Sequence, residues 1–234
     1  PIKSSAASDV YKRQVKAQAA GIKKVLFNGQ KPESVKQAPC IKKNEAFKTS
    51  GQVQYVAQNG NFRKKGLEYT GALEILKVIL SYDYLWINLR VKGGAYGCMS
   101  GFKRNGESFL VSYRDPHLKR TLEVYQGVPD YIRAFEADER EMTKYIIGTI
   151  SNKDVPRTPQ MQGSISKTAY FSNVTEDMLQ KERNQILGAQ KEDIQKLAAL
   201  VEAVLSDDQI CVVGSETAIE KAEDVFMEVK PLIG

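Results

Sequence analysis

The chain has 234 residues, of which 42% are hydrophobic and 26% charged, enough for one large domain or two small ones with a real core. No apolar run approaches the roughly 18–20 residues of a membrane span, and residues 1–14 have no secretory-signal pattern. The net charge of +6 is uneven: residues 1–66 hold 14 Lys+Arg against 3 Asp+Glu, and residues 67–234 hold 20 against 25.

In chain order, residues 1–14, with the low-complexity stretch Ser4-Ser5-Ala6-Ala7-Ser8, read as non-native to the fold, in a chain that looks like a piece of something longer. Residues 15–27 read as a short helix ending near Asn28-Gly29. Pro32, Pro39 and seven lysines between Lys23 and Lys48 then suggest an exposed connector, so that residues 1–43 precede a domain over 44–234. Val53, Tyr55 and Ala57 alternate with Gln52, Gln54 and Gln58, predicting a half-buried strand that ends at Asn59-Gly60-Asn61. From Leu67 to Leu85 the positions Ala72, Leu73, Leu76, Ile79 and Leu80 recur at helical spacing, and the pattern extends to about Val91 before Gly93-Gly94 stops it. Tyr96–Phe102 and Ser108–Tyr113 predict a hairpin across Arg104-Asn105-Gly106.

Asp115 and Pro116 read as a cap and first helical position for a helix reaching Phe135. Further helix starts fall near Asp138, Thr158-Pro159 and Thr175-Glu176-Asp177, and another helix covers Ile194–Leu205. Ile210–Val213 reads as a short buried strand, with Ser215 capping a final helix. Hairpins with clustered helices predict an α+β domain, an antiparallel sheet with helices packed on one face.

The three cysteines, Cys40, Cys98 and Cys211, are scattered and form no C-x-x-C pair. They read as reduced thiols of an intracellular, cytoplasmic protein, with Cys98 and Cys211 packed in the core. One histidine, His117, excludes a two-histidine zinc motif within this chain, and no metal site is expected here. His117 reads as an exposed first-turn residue. No phosphate loop and no nucleophile elbow is present.

Leu89–Gly97 reads L-R-V-K-G-G-A-Y-G. On one continuous helix Arg90 and Tyr96 would lie about 240° apart. A break at Gly93-Gly94 lets the last helical turn and the first strand residues aim at one spot, where a guanidinium and a phenol suit a carbonyl oxygen gaining negative charge. The same residues also suit an ordinary helix end, with arginine in the last turn, glycine after it and tyrosine opening a strand.

R-x-K-G-G-A-Y-G resembles the signature of the C-terminal half of pitrilysin/insulinase-type metallopeptidases. Asn44–Phe47 with Gln52–Ala57 resembles the entry strand of the last domain in the presequence-protease branch. Leu80–Trp86, Ser112–Pro116, Gly148–Ser151 and Thr158-Pro159 also fit, so the likeness covers roughly Lys43 to Gly234. Ala46 and Lys48 depart from the expected glycine and smaller or apolar residue.

The resemblance implies the fourth, non-catalytic domain of a zinc oligopeptidase, with a LuxS/mitochondrial-processing-peptidase-like fold. It implies zinc in another domain, an N-terminal catalytic half and peptide substrates as partners, and Arg90 and Tyr96 as contacts to the substrate carbonyl. Gly93, Gly94 and Gly97 would set the backbone that places them. Two other readings stand beside this one: a scaffolding domain of the same fold, and nucleic-acid binding through basic residues 23–65, which lack interleaved aromatics.

Overall fold

The computed structural model describes residues 2–26 and 41–233. The chain divides into two units at Ile41/Lys42. The first contains a single helix, α1 (Ile2–Leu26). It therefore starts well before residue 15, the start expected from the sequence; alanine, lysine and glutamine, which favour helix, recur along it. The expected connector, with Pro32, Pro39 and Cys40, lies outside the described residues. Among the described residues no helix is long and apolar enough to cross a membrane.

The second unit is α+β. Its strands are β1 (Glu45–Thr49), β2 (Gln54–Asn61), β3 (Gly97–Phe102), β4 (Glu107–Asp115), β5 (Gln209–Ser215) and β6 (Glu228–Pro231). They form one sheet in the order β3-β4-β2-β5-β1-β6. The β3/β4, β4/β2 and β2/β5 pairs are antiparallel, as expected. The sheet adds a parallel edge, β5/β1 and β1/β6, which no local pattern announces because those partners are far apart in sequence.

Helices cover one face. α2 (Ala72–Tyr82) buries Ala72, Leu73, Ile75, Leu76, Ile79 and Leu80, and α9 (Ala198–Leu205) buries Leu200, Val201, Val204 and Leu205. These meet Val56, Leu110 and Val212 of the sheet in one core. Between them run α3 (Lys119–Gln126), α4 (Val128–Arg133), α5 (Glu139–Lys153), α6 (Pro159–Phe171), α7 (Glu176–Leu187) and α8 (Lys191–Gln195), and α10 (Glu216–Glu220) follows β5. Asp138, Thr158 and Thr175 cap α5, α6 and α7 with side-chain oxygens, as their sequence positions predict.

Several local readings change. The phase of β2 is inverted: Gln54, Val56 and Gln58 face the core, and Tyr55 is exposed. Gln54 Oε1 accepts the Ser215 N–H at 2.7 Å and Gln58 Oε1 accepts from Gln126 Nε2 at 3.4 Å, while the buried Gln58 Nε2 has no partner among the described residues. Cys211 lies on the uncovered face and is exposed, so it is not a core thiol, whereas Cys98 is half-buried and packs against the core. Asp115 does not cap a helix beginning at Pro116. It ends β4 and turns inward, accepting from the His117 N–H at 2.9 Å and Thr121 Oγ1 at 2.7 Å, while α3 starts at Lys119.

Two predicted helices are each broken in two. The one to Phe135 parts at Gly127, where a Cβ would stand 2.4 Å from the Tyr84 hydroxyl. The Ile194–Leu205 helix parts because Leu197 N–H donates to Ile194 O at 2.9 Å, a tighter turn than the α-helix.

Candidate functional site: an arginine–tyrosine surface at a helix-to-strand break

The predicted helix from Leu67 to Val91 is also two pieces. After α2 ends at Tyr82, Trp86–Val91 form a π-helical turn, in which Lys92 N–H donates to Ile87 O at 2.9 Å. The chain then leaves the helix in three residues. Gly94 N–H donates to Arg90 O and Ala95 N–H to Leu89 O, both at 2.9 Å. Gly94 has φ +78°, which L side chains rarely adopt. A Cβ on Gly93 would meet Leu89 O at 2.4 Å, so both positions of the pair exclude larger residues.

Tyr96 N–H donates to Arg114 O at 3.3 Å, bringing the incoming chain against β4. Gly97 opens β3 opposite Tyr113, and a Cβ there would stand 2.3 Å from the Tyr113 hydroxyl. The missing side chain leaves room for the Tyr113 ring, whose centre lies 5.7 Å from that of Tyr96.

These constraints bring Arg90 and Tyr96 together at the surface. The Arg90 guanidinium carbon is 5.4 Å from the Tyr96 ring centre and 4.6 Å from that of Trp86. Tyr96 is 57% exposed, so its hydroxyl is reachable from outside. A second guanidinium, that of Arg114, also stands 5.4 Å from the Tyr96 ring centre. Trp86, Tyr113 and Arg114 were not singled out in the sequence. Trp86 could have been found as the residue one turn before Arg90. Tyr113 and Arg114 follow from the hairpin register that Asn105-Gly106 fixes.

Cys98 lies one strand step beyond Gly97. Burial pushes its thiol up to about 11, and the nearby Arg90 charge acts in the opposite direction. His117 is exposed and lies outside any helix. Among the described residues no group of three or more His, Cys, Asp or Glu could hold a metal ion. The donor chemistry around Tyr96 consists of cations and phenols, which do not fit zinc. The surface can donate hydrogen bonds to an oxygen-rich ligand.

The comparisons with known proteins agree with this architecture. The sequence model of the PreP C-terminal domain matches residues 44–216. Protein HypA of Clostridium perfringens is 50% identical over 192 residues, covering 82% of this chain and 20% of that protein. Presequence protease 1, chloroplastic/mitochondrial, of Arabidopsis thaliana is 34% identical over 192 residues, covering 80% of this chain and 18% of its own. The chain thus spans about one fifth of the length of these curated relatives. Among solved structures, the peptidase M16 inactive domain from Pseudomonas fluorescens superposes with a TM-score of 0.57 at 17% identity, over 95% of this chain and 52% of that one. That last likeness is one of fold.

Proposed function

The chain belongs to the PreP C-terminal domain family, and from that premise we propose that it is the non-catalytic C-terminal domain of a zinc metalloendopeptidase that degrades oligopeptides. In this reading an N-terminal catalytic half of the same parent polypeptide holds the zinc, which supplies the activated water. This domain closes over the active site and contributes Arg90 and Tyr96.

The observation that carries the reading is the convergence of those two side chains at 5.4 Å on an exposed surface, with a π-helical turn and the Gly93-Gly94 pair between them. The Tyr96 hydroxyl donates to the oxyanion of the scissile carbonyl. The Arg90 guanidinium, kept over the Trp86 ring, holds a neighbouring substrate carbonyl. Both donors come from a backbone arranged before substrate arrives, so little reorganisation is needed when charge develops. Closure of the two halves would assemble the site and exclude water.

Tyr96→Phe in the full-length parent removes one hydroxyl donor and keeps the ring between its neighbours. Turnover should fall by about 100-fold, the usual loss for one oxyanion donor. Wild-type turnover in that variant would remove Tyr96 from the mechanism.

A further inference from the structure

Residues 67–234 carry an excess of acidic groups, yet two arginines, Arg90 and Arg114, stand beside the Tyr96 ring. Arg120 Nη1 donates to Lys92 O at 3.2 Å, tying α3 to the end of the π-helical turn. Arg90 and Arg114 each stand 5.4 Å from one ring centre, so their guanidinium carbons are at most 10.8 Å apart. Among the described residues neither guanidinium has an ion-pair partner or a hydrogen-bond acceptor. The adjacent acid, Asp115, is 1% exposed and already accepts from His117 N–H and Thr121. Two guanidinium groups thus flank one exposed tyrosine ring, neither with an ion-pair partner among the described residues.

Arg114 also has φ +48°, a left-handed backbone that residues other than glycine, asparagine and aspartate seldom adopt. Such positions persist where the surroundings fix them, and they concentrate at binding and catalytic sites. Here the fixing contacts are the Tyr96 N–H on Arg114 O and the buried Asp115 that follows. Arg114 sits where β4 shifts register against Gln54 and Val56 of β2, and its exposed side chain stands beside the Tyr96 ring.

The geometry points to Arg114 as a specificity residue that recognises a carboxylate on the peptide substrate. A peptide carbonyl is served by Arg90 alone, whereas a second unpaired guanidinium calls for a ligand that bears charge, and guanidinium–carboxylate pairing supplies the two-pronged match. The carboxylate is that of an acidic side chain beside the cleaved bond or that of the peptide's C-terminus. The inference rests on the proposed function above and extends it to the substrate class.

The test uses the full-length parent and one short fluorogenic peptide in four forms, with Glu or Gln beside the scissile bond and with a free or amidated C-terminus. Arg114→Asn suits the left-handed backbone and removes the guanidinium. It should lower kcat/KM by about tenfold for the carboxylate-bearing form and leave the neutral form unchanged. Loss confined to the Glu peptides assigns the side chain, and loss confined to the free C-terminus assigns the terminal group. Arg114→Lys should retain part of the preference, and Lys119→Asn, the same change in net charge on a neighbouring helix, should retain all of it. An equal effect of Arg114→Asn on all four peptides, no effect on any, or the same selective loss in Lys119→Asn overturns the assignment. Failure of Tyr96→Phe to slow turnover is a separate result, because it is read on the neutral peptide.

Discussion

Two kinds of group meet around Tyr96, and their electrostatics differ. Beside the arginines, Cys98 packs against the core, where burial pushes its thiol from 9.0 up to about 11. At pH 8 its thiolate fraction is then about 0.1%, against about 10% for the unshifted group, and only the thiolate attacks alkylating reagents. Iodoacetamide should therefore modify Cys98 about a hundredfold more slowly in the folded chain than after denaturation, followed by peptide mass spectrometry. Because Arg90 acts to lower that pKa, Arg90→Gln should slow the reaction further. Equal folded and denatured rates would show that the thiol is not desolvated. The same desolvation bears on stability: above pH 9 the unfolded thiol ionises and the folded one does not, so stability falls as pH rises from about 9 to 11.

The elements that hold the site are pinned by close backbone approaches. At Gly60 in β2 a Cβ would stand 2.1 Å from Val204 O of α9. Nothing there is a flexible side-chain end, so Gly60→Ala must push helix and strand apart. It should cost about 3 kcal/mol, measured by urea unfolding, with the variant still folded at low temperature. A stability equal to wild type would mean that α9 moves freely against the sheet. The hairpin tip is anchored in a different way. Glu182 of α7, nearly buried, accepts from both Nε and Nη2 of Arg104. The turn that sets the register of Tyr113 and Arg114 is thus tied to the helical layer.

At the scale of the whole chain, the sequence spans 18–20% of the length of these relatives. A zinc site needs three or four converging donors, and the described residues present no such group. The isolated chain should therefore take up no stoichiometric zinc by metal analysis and leave a fluorogenic peptide intact. Stoichiometric zinc together with cleavage would overturn the proposed division of labour.

Much of this was written in the sequence because it is local. Asp138, Thr158 and Thr175 announce helices through capping chemistry, Asn105-Gly106 announces a turn, and Gly93-Gly94 announces the break that lets Arg90 and Tyr96 converge. Where local signals misled, a distant partner had changed the balance. Gln54 of β2 faces inward because its Oε1 accepts the distant Ser215 N–H, and Gln58 keeps one contact, from Gln126 to its Oε1. Asp115 turns from cap to buried acceptor because Thr121 reaches it. The parallel edge, the exposure of Cys211 and the position of Arg114 beside Tyr96 are tertiary decisions. Each depends on which strands lie next to each other, and strand order is settled by burying the whole core at once rather than by any one segment's pattern.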